Sequence, residues 1–216
     1  MRVRKSAEER KSEIVEATLR LADKLGPDRL ATGQIAADVG LTQAALFRHF
    51  PKKQNLWEAV ATRIEEKFQQ RWLAVDRSAA DPADRLRGLV RAQLKLIQST
   101  PAIPAILFSR ELHVENRALR VIFSELMKNF HARIERLIDL GQRGGALRDD
   151  IESADAAFLI IALIQGLVLR WSLSGRDFDL PAEGDRLLAV QLATFDPFGA
   201  PVGTPTGKPE KGGEES

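Results

Sequence analysis

Apolar residues recur along most of the chain at three- and four-residue intervals, the spacing that lays one stripe along an α-helix. Ile14, Ala17-Thr18, Leu21-Ala22 and Leu25 make the first stripe and predict a helix over about residues 8–25, which Gly26-Pro27-Asp28 ends. Leu56, Val60, Ile64 and Phe68 repeat every fourth residue, with Trp57, Ala61 and Trp72 beside them, and predict a long helix reaching about Val75. After a break at 78–82, a helix over about 83–99 carries Leu86, Leu89-Val90, Gln93-Leu94 and Ile97. Pro101 and Pro104 force a bend into one short apolar helix through Ile106, Leu107, Phe108 and Leu112. Leu119, Ile122-Phe123, Leu126-Met127, Phe130, Ile134 and Leu137-Ile138 predict a helix over about 116–141. Ser153 is the expected N-cap of the next, which runs to about Leu173 and is apolar nearly all round, so it must be covered on both sides. Pro181 opens the last helix, through Leu187-Leu188, Leu192 and Phe195. No strand alternation or internal repeat stands out, so the pattern predicts an all-α fold of about nine helices.

Residues 35–53 read IAADVGLTQAALFRHFPKK. Ile35-Ala36 and Val39 have the spacing of a short helix, and Gly40 supplies a left-handed stop. Thr42 is a good N-cap for a second helix that turns Ala45-Leu46 and Phe50 inward and leaves Gln43, Ala44, Phe47, Arg48 and His49 on or near its outer face. Two short helices joined by a tight Gly-containing turn describe a helix-turn-helix, whose second helix can enter a DNA major groove. No acid lies between Asp38 and Glu58, while Arg48, Lys52 and Lys53 fall inside that gap, which suits approach to phosphates and base edges. Pro51 suits a first-turn position of the following helix. An ordinary helical hairpin with a solvated face is the alternative that this spacing leaves open.

These residues resemble the N-terminal domain of TetR-type (TetR/AcrR) transcriptional regulators. The resemblance covers roughly Glu13 to Val60 and rests on Lys24-Leu25-Gly26, Thr32 with Ile35-Ala36, Gly40-Leu41-Thr42, Ala45-Leu46-Phe47-Arg48-His49-Phe50, Lys53 and Leu56. The chain departs from the family at Phe47, usually Tyr, at Ala44, commonly Gly or Pro, and at Gly26-Pro27, often Gly-Tyr. The missing phenol hydroxyl removes one phosphate donor. The resemblance implies a three-helix DNA-binding domain (1–55), a helical ligand-binding and dimerisation domain (56–197) whose cavity is bounded by the fourth to eighth helices, and a dimer formed through the eighth and ninth.

Composition narrows this picture. With 216 residues, 44% hydrophobic and 29% charged, the chain is globular and has ample material for a core. A net charge of only +2 means that nucleic-acid affinity must come from a local patch. The chain has no cysteine, which excludes disulfides, thiolate catalysis and cysteine-zinc sites and fits a reducing cytoplasm. The basic N-terminus has no apolar h-region, and the apolar run 156–169 is shorter than the ~20 residues of a membrane span, so a soluble, cytoplasmic protein, nucleoid-associated on DNA, is expected. The first seven residues form a short basic arm, and residues 198–216, rich in Gly, Pro, Lys and Glu, form an expected disordered tail.

Catalytic constellations are thin. His49, His113 and His131 are the only histidines, none in Glu-x-x-His spacing, and neither Gly-x-Ser-x-Gly nor a P-loop occurs. No enzyme activity, metal or cofactor is expected. The second domain instead can enclose a cavity for a small apolar ligand. Candidate lining residues are Phe68, Trp72, Leu94, Ile97, Phe108, His113, Phe123, Met127, Phe130, Phe158 and Gln165, with Arg110 and His131 as further polar groups. Plain core is the competing reading for each. Ile160, Leu163-Ile164, Leu167 and Trp171 are more apolar surface than one chain is expected to cover, and with Leu188 and Leu192 they predict a two-fold four-helix interface. The resulting expectation is a ligand-responsive, homodimeric transcriptional repressor that binds a palindromic double-stranded DNA operator and is released by a small hydrophobic effector. Thr32, Thr42, Gln43, Ala44, Ala45, Phe47, Arg48, His49 and Lys53 are the candidate DNA-binding residues. An effector-independent structural or cell-cycle DNA-binding protein is the alternative, and a helical-bundle enzyme with a coincidental helix-turn-helix is the third reading.

Overall fold

The computed structural model describes residues 5–77 and 81–197, and these form ten α-helices and no strands. The tip of the basic arm, the centre of the break at 78–80 and the tail from 198 lie outside the described residues. The helices are α1 (Ala7–Leu25), α2 (Thr32–Asp38), α3 (Gln43–His49), α4 (Lys53–Asp76), α5 (Pro82–Ser99), α6 (Ala102–Leu107), α7 (Arg110–Glu115), α8 (Arg117–Arg143), α9 (Ser153–Leu173) and α10 (Leu180–Ala193).

Local chemistry sets most boundaries. Ser6 caps α1 in a reciprocal capping box with Glu9, and Gly26 ends it at φ +82°. Asp81, Ser109, Asn116 and Asp179 accept backbone N–H groups at the starts of α5, α7, α8 and α10. Three expectations are corrected. The one short helix after Pro101 is two, because Ser109 Oγ accepts the Leu112 N–H and starts a new turn after Phe108. Ser153 is the first residue of α9, whose N-cap is Glu152 without a side-chain bond. Pro51 precedes the N-cap Lys52 and so lies outside α4.

α4 belongs to both halves of the molecule. It packs on α1 at one side and on α5 and α8 at the other. Glu16 on α1 accepts hydrogen bonds from Arg63 Nε and Lys67 Nζ, each at 2.9 Å. One residue beyond Lys67 begins a stack of rings: Phe68 to Trp72 at 5.7 Å between centroids and Trp72 to Phe130 of α8 at 5.3 Å. Trp72 is fully buried, and its Nε1 donates to Gln93 Oε1 of α5 at 3.0 Å. The α7 segment ties the halves together a second time. Ser109 Oγ donates to Asp28 in the α1–α2 turn at 2.5 Å, Asn116 Nδ2 donates to the Gln54 carbonyl at 3.2 Å, and Gln54 Nε2 donates to the Glu115 carbonyl at 3.0 Å.

α9 is 21 residues long and, by length and composition alone, apolar enough to cross a membrane. It lies against α8, α10, α5 and α6. Those four neighbours cover Ile160, Ile164, Leu167 and Trp171 within the chain, while Leu163 is half-buried and α10 turns Leu188 and Leu192 inward as well. The expectation that one chain leaves this set uncovered is therefore corrected: the expected stripe is the inner face of α9 and α10. The apolar residues that remain exposed are Phe158, Leu159, Ala162, Gly166, Leu169 and Leu173 on α9, with Ala182, Ala189, Val190 and Ala193 on α10.

Burial opposes ionisation of Glu16, and the hydrogen bonds from Lys67 and Arg63 outweigh it, so its carboxyl titrates below the ordinary value. A lowered folded value means that its contribution is complete above the unfolded carboxylate value and is lost as pH falls through the folded one. Glu16→Gln should lower stability at pH 7 by about 0.5–1 kcal/mol and flatten the acid limb, measured by urea unfolding from neutral pH to pH ~3.

Candidate functional site

The α2–α3 corner is built by short-range bonds. Gly40, at φ +65°, donates its N–H to the Ala37 carbonyl at 3.1 Å, and Leu41 donates to the Ala36 carbonyl at 2.8 Å. A side chain at residue 40 would strain this left-handed turn. Thr42 Oγ1 then accepts the Ala45 N–H at 3.2 Å and starts α3. Ile35, Ala36, Val39, Leu46 and Phe50 turn into the core. Gln43, Ala44 and Arg48 are exposed along α3, Ala45, Phe47 and His49 are half-buried, and Lys53 is exposed at the start of α4.

Electrostatics favour an anionic partner at this face. Arg48, Lys52 and Lys53 are exposed, and none is paired with a carboxylate among the described residues. Asp38, the nearest preceding acid, is held by Arg20 at 2.9 Å. Thr32 is placed differently from the expectation of direct DNA contact. It is only 9% exposed, and its hydroxyl accepts a hydrogen bond from Gln43 Nε2 at 2.8 Å.

The second domain is closely packed. A crevice of about 30 Å³ lies between α5, α6, α8 and α9, lined by Gln93, Ile97, Leu107, Phe108, Phe130 and Val168 among others. Met127, Ile161 and Gln165 line both this crevice and a broad groove of about 710 Å³ between α8 and α9, where Ser124, Lys128, His131, Phe158 and Ala162 complete the wall. Ile97, Phe108, Met127, Phe130, Phe158 and Gln165 are thus brought to one region. Phe68, Trp72, Leu94 and Phe123 are instead core: the ring stack consumes the first two, and Leu94 fills the space left by Gly184, where a Cβ would lie 2.0 Å from its Cδ1. His113 is occupied elsewhere, with Nε2 at 2.8 Å from the Leu107 carbonyl and its ring edge-on to Phe123. Arg110 is exposed at the start of α7 and lines neither space. His131 lies in the groove wall, its ring 4.2 Å from that of Phe158 and its Nε2 3.3 Å from the Ala154 carbonyl.

The profile of bacterial regulatory proteins of the tetR family matches residues 14–60, and that of the C-terminal domain of BetI-type transcriptional repressors matches residues 82–196. The chain belongs to the tetR family. Nucleoid occlusion factor SlmA of Marinobacter nauticus is 26% identical over 162 residues, covering 75% of this chain and 83% of that protein. A TetR transcription regulator from Haloarcula marismortui superposes with a TM-score of 0.76 at 20% identity, over 88% of this chain and 99% of the other. The regulator FadR of Bacillus subtilis, solved in complex with stearoyl-CoA, superposes with a TM-score of 0.71 at 15% identity, over 84% and 97%. These likenesses establish the fold, and membership establishes a DNA-binding transcriptional regulator.

Within this tetR-family frame, sequence reading missed Gln93, Ile103, Pro104, Leu107, Ile161, Ile164 and Val168 as crevice residues. Gln93 carried a usable signal, because an amide within a helix's apolar stripe must find a buried partner, here Trp72. The aliphatic residues carried none beyond core periodicity.

Thr42→Ala removes the α3 cap and should cost about 0.5–2 kcal/mol. Backbone hydrogen exchange should show the loss concentrated in residues 43–49, with α8 and α9 unchanged.

Proposed function

We propose that this regulator is a homodimeric, ligand-responsive repressor whose α3 reads the major groove of a palindromic operator. The observation that carries the reading is the exposed α3 face, with Gln43 and Arg48 outward and with Arg48, Lys52 and Lys53 paired to no carboxylate among the described residues. Gln43 and Arg48 contact base edges, an amide suiting adenine and a guanidinium suiting guanine. Thr42, His49 and Lys53 meet phosphates, which position the protein without specifying sequence. Phe47 presses on a sugar or a thymine methyl beside Ala44 and Ala45.

Two copies pair through the outer faces of α9 and α10. Ala162 and Gly166 let backbones approach closely, while Leu159, Leu169, Leu173 and Val190 supply exposed apolar area. The effector site is the α8–α9 groove continuing at Met127 and Gln165 into the crevice. Its mostly apolar wall favours a hydrophobic molecule, and the complex of FadR with stearoyl-CoA supports an acyl chain. A ligand shifts DNA affinity only if it binds the two arrangements of the reading heads unequally.

A second reading, of a DNA binder that needs no small effector, has its own support. The crevice, at about 30 Å³, is far smaller than the ~300–1,000 Å³ of a site for a drug-sized ligand, and the curated relatives are named nucleoid occlusion factors. Stearoyl-CoA and free stearate titrated into the protein–operator complex separate the two. Release of DNA, abolished by Ser124→Trp in the α8 wall of the groove, supports the repressor; unchanged DNA affinity across a series of acyl chains supports the second reading.

Arg48→Ala should weaken operator binding by about 1–3 kcal/mol and relax preference at one position of each half-site, read by competition binding on point-substituted operators. Lys53→Ala should instead weaken all sequences alike and reduce the salt slope by about one. Leu159→Arg combined with Leu169→Arg should yield monomers by analytical ultracentrifugation, with affinity for a paired site reduced to that for a single half-site.

A further inference from the structure

Gln43 is the first residue of α3 and is exposed, yet its amide is not free to turn. Nε2 donates to Thr32 Oγ1 at 2.8 Å, across the corner from the first residue of α2, and Thr32 itself is buried. A side-chain amide carries two N–H donors and one carbonyl acceptor. With one N–H given to Thr32, one N–H and Oε1 remain, and Oε1 takes no hydrogen bond among the described residues.

The remaining pair decides what can be read. In the major groove adenine offers an N6–H donor beside the N7 acceptor, guanine offers the two acceptors O6 and N7, thymine one acceptor and cytosine one donor. An untethered glutamine can swing to give both N–H groups to guanine or one to thymine. A tethered one matches only adenine with both remaining groups. Holding the long side chain beforehand also removes rotamer entropy that would otherwise be lost on DNA.

We infer that Thr32 is a positioning residue for base recognition: its hydroxyl fixes the Gln43 amide so that this regulator selects adenine at the half-site position facing Gln43 and rejects guanine there. This rests on the reading that α3 enters the major groove. Thr32 thereby acts through Gln43 instead of touching DNA, consistent with its burial.

The test is selection of binding sites from a randomised half-site library by the full-length protein, in parallel for the wild type, Thr32→Val, Thr32→Ser and Gln43→Ala. The wild type should favour adenine over guanine by roughly tenfold at one position. Thr32→Val keeps the shape of the side chain and loses the hydroxyl, so that preference should fall to within about threefold while every other position keeps its preference. Thr32→Ser should restore the wild-type pattern. Gln43→Ala, at an exposed position where folding is not at stake, should flatten the same position and identify it. A wild-type pattern in Thr32→Val, or guanine or thymine selected opposite Gln43, overturns the inference and leaves α3 as the reading helix. Failure to enrich any half-site overturns the placement of α3 in the groove and this inference with it, whereas a Gln43→Ala pattern identical to the wild type at every position shows that Gln43 reads no base and overturns this inference alone. General loosening of the fold is recognised separately, because it erodes all positions together and lowers the thermal midpoint of Thr32→Val and Thr32→Ser alike.

Discussion

One helix serves two cores, and that constraint organises the molecule. α4 joins α1 through the Glu16 ion pairs and α8 through the Phe68–Trp72–Phe130 stack, with no break between residues 53 and 76. The stack outweighs the surface charges. Each aromatic pair adds about 0.5–1.5 kcal/mol beyond burial, whereas exposed ion pairs contribute ~0–1 kcal/mol. Arg133 and Arg85 converge on Asp76 near the end of α4, and the Arg133 guanidinium lies 5.4 Å from the Trp72 ring centre. These groups cover the stack more than they hold it. On the proposed function, this unbroken helix is the element that would carry a displacement of α8 against α5 to the base of the DNA-reading unit, because a continuous helix transmits rotation that a loop would absorb.

The α7 segment adds a second linkage made of caps. Ser109 and Asn116 each use one side-chain function to start a helix and another to hold the DNA-reading half, at Asp28 and Gln54. Both are nearly fully buried, so their donor groups keep a protein partner only while the two halves stay docked. Leu107 and Phe108, immediately before Ser109, line the crevice. The wall of the crevice and the anchor of the reading unit are thus neighbours in sequence as well as in space.

Much of this architecture was legible in the chain. Period 3.6 located the long helices to within a residue or two, and the Gly40-Leu41-Thr42 run located the corner, because turn geometry and capping are satisfied within four or five residues. The outward placement of Gln43, Ala44 and Arg48 followed from the same local register. The Ser109 cap was the local signal that went unread: a hydroxyl three residues ahead of Leu112 divides what apolarity alone presents as one short helix.

Sidedness on a helix that is apolar all round was not legible. Neither size nor hydropathy separates Ile160, Ile164, Leu167 and Trp171, which turn inward, from Phe158, Leu159, Leu169 and Leu173, which stay exposed. Only the arrival of α5, α6, α8 and α10 decides which face that is. The same holds for the crevice, where an aromatic stripe is wall or filler according to how closely facing helices approach, and for Gln43, whose partner Thr32 stands eleven residues away in sequence. The sequence by itself determined the helices, their caps and the DNA-reading corner, since each of these closes its own hydrogen bonds nearby. Tertiary structure alone decided the exposed face of α9, the members of the crevice and the direction of the Gln43 amide, since each depends on contacts between segments whose separation no local rule sets.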